Sequence, residues 1–156
     1  SPSDAALTDS LSTISEPSDD QRPLVVEMAF AMRAERGEPA PALTAGALQD
    51  RLHGDDAPRL FCAVINPGAT GYVLFQDTFD PASFLPGTHL CDIYVRPEAR
   101  RHGLGQRLLQ HVIDHGRARR RNFVWWATAL DNGPMLALTE AMGGRHGEIR
   151  SCAIVL

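Results

Sequence analysis

Apolar positions along the chain recur at two spacings, and each spacing predicts one kind of element. A repeat every three or four residues predicts helices over residues 23–37, 44–54, 104–116 and 134–143. Short runs rich in residues that favour strands predict strands near residues 11–14 and over 60–65, 71–75, 89–95, 123–130 and 149–156. The order of these elements indicates one α/β domain over residues 1–156, with residues 1–10 expected to be flexible.

Composition and charge exclude several classes of protein. The chain is 44% hydrophobic and 22% charged, which suits a water-soluble globular domain. Its apolar runs are all far shorter than the roughly 20 residues that cross a membrane. The start of the chain lacks the pattern of a secretory leader, so a cytoplasmic protein without membrane contact is expected.

Charge is unevenly distributed around a net value of −4. All 15 basic residues are Arg, and eight of them lie within residues 96–121 against two acidic ones. A basic segment in an acidic protein favours a compact polyanionic ligand and argues against nucleic acid as a partner. Cys62, Cys91 and Cys152 and the scattered histidines have no metal-ligand spacing, so no metal site is expected.

A glycine-containing loop joins the predicted strand ending at Val95 to the helix starting at Leu104. The first N–H groups of a helix lack intrahelical partners and carry the positive end of its dipole. Gly103 and Gly105 would let this backbone close around phosphate oxygens, with Arg100 adding charge. The spacing fits neither a dinucleotide fingerprint nor a triphosphate loop. A surface turn that needs two glycines is the alternative.

The loop pattern Arg100-x-x-Gly103-x-Gly105, preceded by Val95-x-Pro97, resembles that of the GNAT (GCN5-related) N-acetyltransferase superfamily. The resemblance implies a mixed, mostly antiparallel sheet flanked by helices, acetyl-CoA as cosubstrate and no metal. It also implies a strand that pairs with the pantetheine arm and a loop that holds the pyrophosphate. The implied cofactor-binding residues are Ile93, Tyr94, Val95, Arg100, Arg101, His102, Gly103, Leu104, Gly105, Gln106 and Asn132.

Three further segments, residues 71–75, 78–81 and 90–95, resemble the spermidine/spermine (diamine) acetyltransferase branch. The run Thr78-Phe79-Asp80-Pro81 is similar to that branch's Thr-Tyr-Asp/Ser-Pro loop. This similarity implies transfer of acetyl to a primary amine of a small molecule, with diamines and polyamines among the acceptors. It is compatible with a homodimer. Acetylation of a protein or peptide amine is the alternative acceptor class.

One position departs from the superfamily pattern. Asn132 and Gly143 are kept, but Thr139 stands where the superfamily usually has a proton-donating Tyr. A Thr hydroxyl is far too weak an acid to replace a phenol. A CoA thiolate leaves acceptably without that proton, so catalysis need not be lost. A CoA-binding module without catalysis is the competing interpretation.

Asp92 is the candidate catalytic carboxylate, because it lies on the strand expected to deliver the pantetheine. Strand alternation places Leu90, Asp92 and Tyr94 on one face and Cys91 on the other. Asp92 then either faces the acceptor and takes its proton, or is buried and paired. Cys91 is a candidate nucleophile or a buried strand residue, and Tyr94 is expected to pack.

Two other features have simpler interpretations. The run of Arg between residues 117 and 121 could bind the cofactor's 3′-phosphate or nucleic acid, but cations at a helix C-terminus are favourable in themselves. Trp125 and Trp126 are adjacent on a predicted strand, so one is expected in the core and one in a cleft.

Overall fold

The computed structural model describes residues 12–55 and 58–156. The expected flexible segment 1–10 and the start of the first predicted strand lie outside these residues. The described chain contains five strands, four α-helices and one 3₁₀ turn. They are β1 (Thr13–Ser15), α1 (Arg22–Glu35), α2 (Ala45–His53), β2 (Leu60–Asn66), β3 (Gly71–Asp80), β4 (Leu85–Val95), the 3₁₀ turn (Pro97–Ala99), α3 (Leu104–Ala118), β5 (Val124–Trp125) and α4 (Gly133–Ala141).

The five strands form one mixed sheet in the order β1-β2-β3-β4-β5. The first three pairings are antiparallel, and only β4 and β5 are parallel. This is the mixed, mostly antiparallel sheet flanked by helices that the sequence predicts, so the expected fold class is confirmed. The predicted helices are all present, and Thr44 caps α2 by accepting a hydrogen bond from the backbone N–H of Ala47 at 3.1 Å.

Helices cover both faces of the sheet because the strands alternate apolar side chains to each side. On one face α1 and α2 pack against Cys62, Val64, Tyr72 and Tyr94. We call this the α1 face. On the other face α3 brings His115 against the rings of Phe61 and Phe75, at 4.5 and 4.9 Å between centroids. The sheet is therefore the middle layer of three.

The described chain divides into two compact units. The first ends at Trp126, and the second spans Ala127–Leu156. In the second unit, Asn132 caps α4 by accepting a hydrogen bond from the N–H of Met135 at 3.2 Å, and its Nδ2 donates to the hydroxyl of Thr128 at 2.9 Å. The sequence did not predict this division.

Three predicted elements differ from the structure. The expected loop around residues 80–87 is instead a tight hairpin, since β3 and β4 continue their pairing to Asp80 and Leu85. The predicted strand 123–130 is reduced to Val124–Trp125. The predicted strand 149–156 is absent, because no described strand pairs with this exposed segment to satisfy its backbone.

A β-bulge interrupts the pairing of β3 with β4. Leu74 pairs with Asp92 while the next residue, Phe75, pairs with Leu90, so Cys91 is the extra residue on β4. The expected alternation along this strand is therefore wrong. Leu90 lies on the α3 face with Phe75, whereas Asp92 and Tyr94 lie on the α1 face.

Gly71 begins β3 where the backbone of β4 approaches closely. A Cβ at this position would lie 2.7 Å from the carbonyl oxygen of Tyr94 and 2.9 Å from Cδ1 of Ile65. We expect Gly71→Ala to lower the free energy of unfolding by about 1–3 kcal/mol, measured by urea denaturation. Gly46→Ala is the control, since a Cβ there meets nothing within 4 Å and should stabilise α2 by about 0.5–1 kcal/mol. Equal stability of both variants would contradict the close approach.

Candidate active site

The loop between β4 and α3 turns sharply at two residues with left-handed backbone. Arg101 has φ 68° and Gly103 has φ 71°, and Gly103 is the N-cap of α3. Only glycine adopts this conformation without cost, which explains the first glycine of the motif. The loop delivers the chain into α3 with Arg101, His102, Gly103 and Gln106 exposed and Leu104 anchored in the core.

Several backbone N–H groups in this loop have no hydrogen-bond acceptor in the described part of the protein. The first N–H that donates within α3 is that of Arg107, to the oxygen of Gly103 at 3.1 Å. Among the described residues, no protein group accepts from the N–H groups of residues 101–106. N–H groups without protein acceptors at a helix start are a suitable cradle for a diphosphate. The structure therefore brings together the loop residues that the sequence singled out.

Arg100 is partly exposed, and its guanidinium is held in place by contacts within the protein. Its Nε donates to the carbonyl oxygen of Val95 at 2.8 Å, and NH2 donates to Oε2 of Glu35 at 2.7 Å. Its guanidinium carbon lies 5.4 Å from the ring centroid of Tyr94, whose hydroxyl also donates to Glu35, at 2.7 Å. Burial opposes ionisation of Glu35, but the hydrogen bonds from Arg100 and Tyr94 outweigh it and lower the pKa of this carboxyl. Arg100 thus ties the loop to α1.

One edge of β4 is open beside the loop. Parallel pairing with β5 covers only Thr88 and His89, opposite Val124 and Trp125. From Leu90 to Val95, no described strand pairs with that edge. Alternate residues of the segment Ile93 to Val95 therefore direct backbone groups to an edge that an extended amide-containing arm could pair with, although the Val95 carbonyl already accepts from Arg100.

Asp92 is paired and largely buried. Arg33 donates to both of its oxygens, at 3.2 and 3.3 Å, and the hydroxyl of Tyr72 donates to Oδ2 at 2.9 Å. The side chain of Asp92 is 11% exposed. Burial, followed by the charge of Asp92, raises the pKa of Tyr72 far above its ordinary value, so this phenol stays protonated. Of the two roles considered for Asp92, the geometry matches the buried, paired carboxylate.

Cys91 is half-buried beside the imidazole of His89, with Sγ 3.8 Å from Nδ1. Burial and the nearby charge of Asp92 raise the pKa of its thiol to about 11. At neutral pH the thiol is protonated, which disfavours the nucleophilic role considered for it. Within the described residues, no cluster of His, Cys, Asp and Glu could hold a metal ion.

Thr139 lies on α4 in the second unit and is buried. Its hydroxyl donates to the carbonyl oxygen of Met135 at 2.8 Å, four residues earlier in the helix. Asn132 is the other expected site residue in this unit, and its side chain caps α4. The hydroxyl proton of Thr139 is therefore already used within its own helix.

The basic run at the end of α3 is engaged with the sheet. Arg119 and Arg121 both pair with Asp77, at 2.7 and 2.9 Å. These contacts anchor the C-terminal end of α3 to β3. They support the structural interpretation of this run over a role in binding phosphate or nucleic acid.

An open cleft of about 440 Å³ lies between the end of β3 and the segment that contains β5. On the neighbouring sheet, Gln76, His89 and Trp125 form one cross-strand row, and Thr78, Gly87 and the chain at Phe123 form the next. The Trp125 side chain is 46% exposed, while Trp126 is half-buried. The cleft is lined by Thr78, Phe79, Asp80, Pro81, Phe123 and Trp125.

Sequence reasoning missed this cleft and the position of His89. The Phe123 ring fills the space above Gly87, where a Cβ would lie 2.3 Å from two ring atoms. A glycine opposite an aromatic residue is the only signal in the sequence, and it has no meaning until the parallel pairing of β4 and β5 is known. The cleft therefore depends on a contact between distant segments.

Comparison with known proteins defines the class. The sequence model of the acetyltransferase (GNAT) family matches residues 25–143, and the chain belongs to this family. Members of the family use acetyl-CoA as cosubstrate. No curated protein sequence matches the chain.

Solved structures share the fold at low sequence identity. A probable acetyltransferase is 20% identical with a TM-score of 0.75, covering 92% of this chain and 97% of its own. The aminoglycoside acetyltransferase meta-AAC0020 from an uncultured soil metagenomic sample, in complex with sisomicin, is 13% identical with a TM-score of 0.76, covering 95% and 98%. The ribosomal-protein-alanine N-acetyltransferase from Brucella melitensis biovar Abortus 2308 is 16% identical with a TM-score of 0.71, covering 93% and 99%. Among the described residues, no helix has the length and apolar character to cross a membrane.

The ion pair of Asp92 with Arg33 gives a stability prediction. Asp92→Asn removes the charge that holds Arg33 and Tyr72, so we expect the free energy of unfolding to fall by about 1–3 kcal/mol in thermal or urea denaturation. The pH dependence of activity per folded molecule should stay unchanged. Asp114→Asn is the control, since this exposed residue accepts only from Gln110, at 2.8 Å, and should change stability by less than about 0.5 kcal/mol. Wild-type stability with an altered pH profile would instead make Asp92 part of the chemistry.

Proposed function

We propose that the protein transfers the acetyl group of acetyl-CoA to the primary amine of a small molecule. The observation that carries this proposal is that two sets of backbone groups without partners in the described part of the chain lie next to each other. One is the N–H cradle of residues 101–106, and the other is the open edge of β4 from Leu90 to Val95. A diphosphate in the first places an attached pantetheine arm along the second. The cofactor-binding set from the sequence stays a proposal, and these backbone groups support its members on β4 and in the loop but not Asn132, whose side chain caps α4.

Backbone groups that hold the cosubstrate would supply much of the rate enhancement. The amine nitrogen attacks the thioester carbonyl directly while both substrates are bound, so proximity and polarisation of that carbonyl contribute most. No covalent acetyl-protein intermediate is needed, which agrees with the protonated state of Cys91. Asp92 is proposed here to position β4 through Arg33, and to accept no proton.

The cleft supports a small acceptor. Its volume of about 440 Å³ falls in the range typical of small-molecule pockets, roughly 300–1,000 Å³. Aromatic rings of Phe79, Phe123 and Trp125 attract an ammonium group or cover an apolar body. Asp80 is the single carboxylate in the lining, and it already accepts from Ser83 Oγ at 2.7 Å. A monoamine with an apolar body therefore fits the lining better than a polyamine, which would need several carboxylates.

The experiment that tests the function is a thiol-release assay with acetyl-CoA against matched acceptors. The panel holds aryl-alkyl monoamines, diamines, polyamines, an aminoglycoside and a peptide with a free N-terminus. Turnover of small amines with little turnover of the peptide supports the proposal. Turnover of the peptide alone would indicate that the function is protein acetylation. Binding of acetyl-CoA without release on any acceptor would favour the non-catalytic CoA-binding module.

Gly103 tests the phosphate cradle. Gly103→Val forces a β-branched side chain into left-handed backbone, so we expect the loop to reorganise and acetyl-CoA affinity to fall at least tenfold, about 1.4 kcal/mol, by calorimetry. Gly37→Val is the matched control, with φ 67° and nothing within 4 Å of a Cβ, at the end of α1. It should cost similar stability and keep the affinity. Unchanged binding in folded Gly103→Val would reject the cradle.

Thr139 tests whether the missing phenol matters. Because its hydroxyl donates to Met135, Thr139→Ala should leave kcat within about threefold of wild type, far less than the loss expected for a general acid. Steady-state kinetics with the best acceptor measures this. A loss of about a hundredfold in the folded variant would show that this hydroxyl takes part in the reaction.

A further inference from the structure

His89 stands where the pairing of β4 with β5 ends. Its partner in register is Trp125, the last residue of β5, and the two rings lie 4.9 Å apart at a tilt of 39°. Trp125 also lines the cleft proposed for the acceptor. The next residue of β4, Leu90, begins the open edge. His89 therefore lies between the cleft and the edge proposed for the pantetheine arm.

The direction of the arm brings the thioester toward this junction. The diphosphate cradle lies beyond the C-terminal end of β4, so an arm bound along the open edge runs from Val95 toward Leu90. Its far end, which carries the thioester, approaches the residues at which the strands separate. The bulge turns Cys91 and Asp92 toward the α1 face, the same face as His89. Asp92 is occupied by Arg33 and Tyr72, which leaves the imidazole as the basic group on this part of β4.

The surroundings keep the imidazole uncharged at neutral pH. Burial lowers the pKa of His89 below its ordinary value. The groups that contact its ring are the uncharged amide of Gln76, at 3.2 Å, the indole of Trp125 and the Cys91 thiol, whose pKa is raised to about 11. Beyond them lies Asp92, whose charge is balanced by Arg33. The ring can therefore accept a proton without first losing one.

Resting on the proposed acetyl transfer, we propose that His89 is the catalytic proton carrier, taking a proton from the attacking amine and returning it to the departing CoA sulfur. The amine nitrogen forms a bond to the thioester carbon, and the carbonyl π electrons move to oxygen. The imidazole removes a proton from that nitrogen. The adduct then collapses, the C–S bond breaks with its electron pair on sulfur, and the imidazolium protonates the thiolate. The products are the N-acetyl amine and CoA thiol, with His89 neutral again.

Gln76 prepares the ring for this role. A side-chain amide presents both an oxygen and an NH₂, so it can hold either tautomer of the ring nitrogen it faces. The structure places Nε2 of Gln76 at 3.2 Å from Nδ1 of His89. Rotation of the amide by 180° brings Oε1 to Nδ1–H instead, and in that arrangement the lone pair lies on Nε2 of His89 and is available to the amine. The second step is downhill, because a thiolate with reference pKa about 8.5 is more basic than an imidazole of pKa below about 6.5. One residue thus supplies both proton transfers and removes the need for a phenol at position 139.

The first test is His89→Gln, measured by thiol release with the best acceptor of the panel. We expect kcat to fall about a hundredfold with unchanged acetyl-CoA affinity and melting temperature close to wild type. The ratio of wild-type to variant rate should fall as the pH drops through the imidazole pKa, since protonated imidazole accepts nothing. The acceptor's own ionisation is the same in both proteins and cancels. His111→Gln is the control: its pKa is also lowered by burial, but it packs on Phe75 on the opposite face and should leave the profile unchanged.

The second test keeps the histidine and changes its partner. Gln76→Glu places a carboxylate against Nδ1, which favours the imidazolium and should move the acidic limb of the rate profile up by about one pH unit or more. Gln76→Leu removes the contact and should not move the limb upward. This pair decides the question if His89→Gln fails to fold.

The outcomes separate the two proposals. No thiol release by wild-type protein with any acceptor would reject the transferase function, and the role of His89 with it. Wild-type turnover with retained kcat and pH profile in folded His89→Gln would reject His89 alone. An acidic limb that is the same in wild type and Gln76→Glu would also reject it. Loss of kcat with loss of acetyl-CoA affinity would assign His89 to cofactor binding instead.

Discussion

The position of β4 in the sheet is the constraint on which the candidate site depends. On one side β4 pairs with β3 along ten residue pairs, and on the other it pairs with β5 at only two. The long pairing holds the strand rigidly, while the short one leaves the edge from Leu90 to Val95 without a strand partner among the described residues. A strand this well held can offer an open edge without losing its geometry, because its other edge and both faces are already packed. The open edge, and the position of Trp125 where it begins, follow from that asymmetry.

Polar contacts from α1 reinforce the same strand. Arg33 reaches Asp92 in its middle, and Glu35 holds the Tyr94 hydroxyl and Arg100 at its end. The Glu35–Arg100 pair is partly exposed and by itself contributes little, roughly 0–1 kcal/mol. Its significance is positional, because it couples the last turn of α1 to the loop between β4 and α3. Arg100 therefore contributes to the shape of the loop proposed to bind phosphate, in addition to the charge noted in the sequence.

The chemistry of the site is consistent with groups that stay uncharged. The Cys91 thiol and the Tyr72 phenol remain protonated at neutral pH because both are buried near Asp92, whereas burial keeps His89 neutral. Asp92 is paired with Arg33, the Asp80 carboxylate in the cleft lining accepts from Ser83, and the imidazole of His89 beside Trp125 is uncharged. A neutral base suits an amine acceptor, since a fixed negative charge there would hold the substrate as an unreactive ammonium.

Local signals in the sequence were sufficient for the helices, the central strands and the phosphate loop. The spacing of Gly103 and Gly105 after Val95 encodes a turn and a helix start within a dozen residues, so its conformation depends little on distant contacts. The same holds for the apolar repeat that predicts α3 and for the capping of α2 by Thr44. The loop was therefore the part of the site that the sequence by itself determined.

Long-range pairing decided the rest. The bulge at Cys91, the early end of the β4–β5 pairing and the burial of Asp92 against Arg33 each depend on contacts between segments that are separated in the sequence. Strand alternation predicted the wrong face for Leu90 because a single inserted residue reverses the order of faces, and register is set by the partner strand. For the same reason Asp92 drew attention as a base while His89 did not. Only the assembled sheet determines that Asp92 is paired with Arg33 and that His89 lies beside Trp125 at the cleft.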